Sequence, residues 1–421
     1  MESAGHQGPL WCSVKRVNEF YSIELFSQDQ CIVIYLDNHA TTPCDPVAVE
    51  QMRPLFTELF ANPHSSHQGG QLAANTIDEA LQTIASTVHT QVENVVVTSG
   101  ATESNALAIR GAVTHPRQRR RHLVTVESEH PAVLDVMKDL QADGYSVTLV
   151  PVVPQGQPNA GTVDLNYLES AITSETALVS VMWANNEIGA INPMAEISDL
   201  CSRHGCLLHS DATQALGRLE VDLRSIKIDL LSATAHKFYG PKGTGFLLVG
   251  GGDRRVRLRP QMIGGGQQFG IRSGTMNPAG IVGMAVALQR SVIDLRQDPN
   301  RISQLRDRLW SRLSSGIDGL ILNGPCFESH LRLSGNLNLQ LPDIEGQAWM
   351  SSTPEILFSS GSACSGHEPA PSHVLTALGL SEAEARRSVR FGVGRFTEIG
   401  EVEAAADQLI EAYSNLAKLQ N

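Results

Sequence analysis

The chain has 421 residues, 42% of them hydrophobic and 18% charged, with a formal net charge of −12. That length suits one large α/β domain with a smaller partner, and a core that needs no disulfide staples. The composition excludes disorder, and the acidic balance argues against a general nucleic-acid-binding surface.

Residues 1–31 carry Glu2, Glu19, Glu24 and Asp29 and have no early apolar run, so they read as neither a signal nor a transit peptide. They form an N-terminal extension of unknown order. Asp45-Pro46 has the form of a helix cap followed by proline at the first helical position, and Val49, Met52, Phe56 and Leu59 follow at helical spacing. Residues 73–88 read as a second helix. From there strands at 95–98, 123–126, 147–152, 177–183, 206–209, 228–231 and 246–249 are expected. Between them lie helices at 101–113, from Pro131, after Asp164 and at 194–204. The strands are short continuous apolar runs alternating with helices, which points to a mostly parallel sheet covered on both faces. Beyond about residue 277 the texture changes to long helices at 278–296 and 302–313, a strand at 337–341 and a final helix at 401–419. The expected division is therefore 1–31 as extension, 32–276 as the large domain and 277–421 as a smaller C-terminal α/β domain.

The seven cysteines are odd in number and irregular in spacing, so a reducing, cytoplasmic setting is expected. No apolar run approaches the roughly 18 residues that span a membrane. Cys201, His204, Cys206 and His209 have zinc-like spacing, but they straddle a helix end and a strand whose side chains alternate between faces. No metal site is expected there. His64 and His67 read as loop residues, and 117–122 as a solvated basic loop.

Only six lysines occur, and two of them, Lys237 and Lys242, sit in one Gly/Pro-rich stretch. Three polar clusters fall at the carboxyl ends of expected strands, where open parallel sheets bind ligands. Ser99-Gly100-Ala101-Thr102 lies between a strand and a helix and could seat an anion, or be a plain turn. Asp211 follows the 206–209 strand and could pair with a buried cation, or cap a helix. Lys237 follows the third strand, where burial lowers an amine's pKa and favours imine formation; a salt-bridged lysine is the plainer reading. Together the three supply a phosphate seat, an acid for a ring nitrogen and an imine-forming lysine, the set that pyridoxal phosphate needs.

The order of local motifs also resembles the cysteine desulfurases of the NifS/IscS type, among the class V, fold-type I pyridoxal-phosphate enzymes. The matching stretches are YLDNHATTP (35–43), TSGATESN (98–105), Glu129-His130, NNEIG (185–189) and DATQ (211–214). They continue with HKFYGPKG (236–243), RSGT (272–275), SSGSAC (359–364) and RFGVGRF (390–396). The resemblance runs from about 33 to about 415. It implies a fold-type I transferase that converts L-cysteine to L-alanine and leaves sulfane sulfur as a persulfide on Cys364. It implies that Lys237 holds the cofactor, Asp211 pairs with the ring nitrogen, Gln214 bonds the ring hydroxyl, and His130 stacks on the ring and shuttles protons. Ala101, Thr102, Thr234 and His236 would seat the phosphate, and Thr275 would reach the phosphate of the partner subunit in a homodimer. Asn186 would lie beside the ring and, with Arg390, orient the substrate carboxylate. Sulfur would pass to an acceptor protein, such as an iron–sulfur scaffold or a tRNA-thiolation protein; no direct nucleic-acid or membrane partner is implied. The alternative on this scaffold is a selenocysteine lyase or another pyridoxal-phosphate-dependent class V enzyme. Two departures stand out: Thr234-Ala235 in place of Ser-Gly before His-Lys, and Gln268-Phe269 where the family often has Glu and Arg.

Overall fold

The structure, a computed structural model, describes residues 33–251, 255–360 and 370–420, together with the backbone of Val14–Val17 and Phe20–Ile23, an antiparallel pair. The remainder of the N-terminal extension and Cys364 lie outside the described residues.

Seven strands form the large sheet, in the order Val95–Thr98, Gly245–Val249, Leu230–Thr234, Leu207–Asp211, Thr176–Ser180, His122–Val126 and Ser146–Val150. The last five run parallel to one another. Gly245–Val249 is antiparallel to both of its neighbours, so the sheet is mixed at that end. Each strand expected between residues 95 and 249 is present, with ends shifted by a few residues. One shift bears on the site: the expected strand at 228–231 is Leu230–Thr234, so Lys237 stands three residues beyond a strand end. Four strands, Val95–Thr98, His122–Val126, Thr176–Ser180 and Leu230–Thr234, are buried along all or nearly all of their length, which is why they show no alternation between polar and apolar residues.

The helices start where capping chemistry places them. The Asp45 carboxylate accepts from the Val47 N–H ahead of Pro46–Met52, and Asp164 accepts from Asn166 and Tyr167 ahead of Leu165–Ala171. Helix Pro278–Gln297 is long and apolar enough to cross a membrane by length and composition, a property the run-by-run reading of the sequence did not register. Its Ile281, Met284, Ala285, Ala287 and Leu288 are buried in the core of the large sheet, which makes it a core helix. The sequence division at 277 assigned this helix to the smaller unit; its packing is with the larger one.

A second core surrounds a four-stranded antiparallel sheet of Ile321–Leu322, Asn336–Gln340, Ser388–Gly392 and Ser359–Ser360. Trp349, Phe358 and Phe391 meet there, the two phenylalanine rings stacked with centroids 4.7 Å apart. Ile34 and Leu36 belong to this core although they lie far away in sequence, because Ile34–Tyr35 pairs in parallel with Ile356–Leu357. The strand Ser388–Gly392 is absent from the sequence expectation: its five residues are all buried and three of them are not apolar, so neither periodicity nor hydropathy marks it.

Candidate active site

Five carboxyl ends of the large sheet converge on one cavity of about 510 Å³. Ala101, Thr102, His130, Asn186, Asp211, Gln214, Thr234, His236 and Lys237 all line it. Arg390 is one hydrogen bond away, its Nη1 donating to the Asn186 carbonyl at 3.1 Å. Thr275 does not line this cavity; it is exposed, shortly before helix Pro278–Gln297.

Lys237 ends a single helical turn, Ala235–Lys237, that follows the strand Leu230–Thr234. Its Nζ donates to the carbonyls of His39 and Ala40 at 2.6 and 2.7 Å. Burial, reinforced by the positive charges of Arg218 and Arg390, pushes the amine down to about 7. A substantial fraction is therefore uncharged at neutral pH, as attack on a carbonyl carbon requires.

Asp211 closes the strand Leu207–Asp211 and is buried. Oδ2 accepts from Asn105 Nδ2 at 2.7 Å and Oδ1 from the Thr213 N–H at 2.9 Å. Asn105 is fully buried on helix Ala101–Val113. It received no role from the sequence, although it ends one of the motif stretches. Glu129 was passed over in the same way. Its Oε1 accepts from the Met182 N–H at 2.6 Å, its Oε2 has no partner, and burial, then Asp211, pushes the carboxyl well above its ordinary range. The two carboxyl groups thus differ in environment: Asp211 is held by two donors, and burial favours the protonated form of Glu129.

His130 caps helix Pro131–Ala142, its Nδ1 accepting from the Ala132 N–H at 3.1 Å. That bond places the proton of the neutral ring on Nε2. Burial lowers the pKa of this histidine, which favours the neutral ring. Gln214 is engaged at both ends by His39: Nδ1 of the ring lies 3.1 Å from Oε1, and Nε2 donates to the His39 carbonyl at 2.9 Å. His39, also unassigned from the sequence, is buried, and burial followed by Arg218 keeps it well below its ordinary pKa.

The opposite end of the cavity is built for an anion. Helix Ala101–Val113 begins there without a side-chain cap, leaving its first N–H groups free of intrahelical partners. Gly100 has φ 150°, and a Cβ on it would approach Thr234 Oγ1 at 3.3 Å. A Cβ on Gly245 would meet Ala233 O at 2.5 Å and Gly100 Cα at 2.6 Å, so this floor needs glycine. His236 Nδ1 lies 3.0 Å from Thr41 Oγ1. Lys242, without a role from the sequence, also borders the cavity.

Arg390 is buried and shared. Its Nη2 donates to Asp37 at 2.7 Å and to Ser359 Oγ at 2.9 Å, while Nε has no partner. Among the described residues no group of three or more His, Cys, Asp or Glu side chains is arranged to hold a metal. His209 is instead held between Ser180 and Ser232 inside the sheet. Gln268 uses its amide to pair with both backbone groups of Val97, at 2.6 and 3.0 Å, closing the edge of the sheet, and Phe269 is exposed.

The family model for class-V aminotransferases matches residues 34–405. The chain belongs to that family. Within it, the chain is of the IscS/NifS-like cysteine desulfurase kind. It is 40% identical over 387 residues to a cysteine desulfurase IscS of Rickettsia africae, covering 92% of each chain. A Rickettsia bellii IscS is 41% identical over the same coverage. Among solved structures, a NifS-like protein superposes with a TM-score of 0.83 at 31% identity, covering 91% of this chain and 99% of that one. A structure described as SspA in complex with cysteine gives 0.74 at 33% identity, covering 87% and 100%.

The cofactor of this class V enzyme is pyridoxal phosphate, and the cavity fits it. A lysine with a lowered pKa, a buried carboxyl group held by two donors, and an anion seat floored by glycine line one cavity. Lys237 would hold it covalently, Asp211 would face its ring nitrogen, and the start of helix Ala101–Val113 would take its phosphate.

Proposed function

We propose that this pyridoxal-phosphate-dependent cysteine desulfurase binds L-cysteine between Asn186 and Arg390 and passes its sulfur to Cys364. The Cβ–S bond of cysteine breaks and an S–S bond forms, so that cysteine and the Cys364 thiol yield L-alanine and a Cys364 persulfide. Bound pyridoxal phosphate supplies the electron sink for this cleavage.

The chain's own groups cover the remaining requirements. The Arg390 fork suits a carboxylate, and its unpartnered Nε leaves donor capacity beyond Asp37 and Ser359. Lys237 near neutrality and His130 with its proton on Nε2 can each give or take a proton at the substrate carbons. Asn105 and Thr213 donate to the two Asp211 oxygens and fix the carboxyl group in place.

Support for Cys364 comes from the family and from what flanks it. Ser359 is bonded to Asp37 and Arg390 on one side. Beyond the segment, Ser372 donates to Glu187 at 2.5 Å, and the His373 ring lies 2.8 Å from the Glu129 carbonyl. Exposed Phe56, Phe60, Ile263 and Phe269 support association with a second copy, and Thr275 would then contribute to the partner's phosphate seat. A cytoplasmic sulfur-acceptor protein of the iron–sulfur scaffold or tRNA-thiolation class completes the reading.

The observation that carries the proposal is the meeting of Lys237, Asp211 and Asn186 in one cavity, with Arg390 bonded to its wall. The test is alanine release from L-cysteine in the presence of a thiol reductant, with mass spectrometry of Cys364. Full alanine production by Cys364→Ser would overturn the sulfur-carrier role.

A further inference from the structure

The loop after strand Thr176–Ser180 carries Asn186 to the cavity and then turns at Gly189, whose φ is +73°. Four successive carbonyls of this turn are taken by donors from the smaller sheet and its approach. Arg390 bonds the Asn186 carbonyl. Asn336 and Asn338 both bond that of Glu187, at 2.9 and 3.1 Å. Arg332 Nη1 bonds that of Ile188 at 3.0 Å, and the Leu333 N–H bonds that of Gly189 at 2.9 Å.

Arg332 is the member of this set that ordinary packing does not account for. Its guanidinium is buried, and among the described residues no carboxylate forms an ion pair with it. Its other bonds go to neutral groups: the Pro325 carbonyl at 2.8 Å, the Asn323 carbonyl, and Asn336 Oδ1 at 2.8 Å. A second guanidinium, that of Arg306, also lies over the Phe327 ring, 4.3 Å from its centroid against 5.6 Å for Arg332. Burial, followed by the Arg306 charge, pulls Arg332 down to about 9. An unpaired buried cation is costly, and an apolar side chain would fill the space more cheaply. What the charge provides is strong, directional donors to backbone oxygens from two separate segments at once.

We propose that Arg332 is a positioning residue for the substrate site, fixing the Asn186 turn against the smaller sheet so that Asn186 and Arg390 keep one geometry. Arg332 and Asn336 act as a unit: the Arg332 Nη1 orients Asn336 Oδ1, which leaves the Asn336 amide free to donate to Glu187. The turn passes close against Asn336 and needs glycine there, because a Cβ at position 189 would stand 2.6 Å from the Asn336 side chain. The proposal rests on the reading that Asn186 and Arg390 receive the substrate carboxylate.

The experiment compares Arg332→Lys, Asn336→Asp and Arg390→Lys in the cofactor-loaded enzyme. It measures kcat and KM for L-cysteine, the visible absorbance of bound cofactor, and thermal midpoints. Arg332→Lys should raise KM about tenfold with kcat changed less than about threefold and cofactor absorbance retained, the signature of lost substrate binding. Asn336→Asp gives Arg332 a carboxylate while removing one donor to Glu187; it should melt no lower than the native chain yet raise KM about threefold. If both variants leave KM unchanged while Arg390→Lys raises it, the positioning role is overturned and the substrate-site reading stands. If Arg390→Lys leaves KM unchanged, the substrate-site reading itself falls. Should Arg332→Lys fail to fold, Asn336→Asp decides alone.

Discussion

Burial of the Lys237 amine links the stability of the fold to pH. Its pKa falls from 10.5 in the open chain to about 7 in the fold. Between those values the unfolded chain binds more protons than the folded one, so stability rises with pH across the window. The folding penalty on the buried ammonium is complete below about 7 and absent above 10.5. At 1.36 kcal/mol per unit, the whole shift corresponds to an upper bound of about 5 kcal/mol, reached over the full window. The bonds to the His39 and Ala40 carbonyls hold the charged form and act against burial, so the measured value should fall below that bound. The perturbation is Lys237→Met in the cofactor-free protein, which keeps the apolar stem and removes the titrating group. Urea denaturation followed by circular dichroism at pH 7.5, 8.5 and 9.5 gives native-minus-variant differences in which other titrations cancel. The native chain should gain on the variant by about 1 kcal/mol per pH unit. A difference that is flat over this range would refute the argument that burial outweighs the two carbonyl bonds.

Asn105→Ala removes the donor to Asp211 Oδ2 and should cost about 1.5–3 kcal/mol by urea denaturation at pH 7, the range for a hydrogen bond to a charged group. A loss under about 0.5 kcal/mol would mean that Asp211 does not depend on this bond. The His130 ring should titrate below its ordinary value of 6.5 in NMR spectra, because burial disfavours the imidazolium, and its protonation should release the Ala132 N–H from the cap. Gly245→Ala drives a Cβ into the Ala233 carbonyl and Gly100, so it should lower stability by about 1–3 kcal/mol and weaken cofactor retention, read by dialysis and absorbance.

Much of the site was legible because its residues sit in short motifs at strand ends. Lys237, Asp211, His130 and the 99–102 turn each follow an apolar run, and a parallel sheet brings such ends together. Asn105, Glu129 and His39 lie in the same motifs, yet their roles depend on what burial does to them. Nothing in the order of residues says that burial and the Asp211 charge raise the pKa of the Glu129 carboxyl. The strand Ser388–Gly392 escaped for a related reason: it is central and buried, but Arg390 within it is paid for by Asp37, Ser359 and a carbonyl, partners distant in the chain.

The amino-acid sequence by itself determined the alternation of strands and helices, the clustering of scarce lysines around 237, and the motifs that place the chain in its family. These are local properties, set by periodicity, capping and turn chemistry over a few residues. The tertiary structure decided the lowered pKa of Lys237, the raised pKa of Glu129 and the sharing of Arg390. It also turned Arg332, an unremarked arginine in the sequence, into a clamp on the Asn186 turn. Those outcomes depend on desolvation and on donors contributed by segments more than a hundred residues apart, and only the packed chain brings such groups within hydrogen-bond distance.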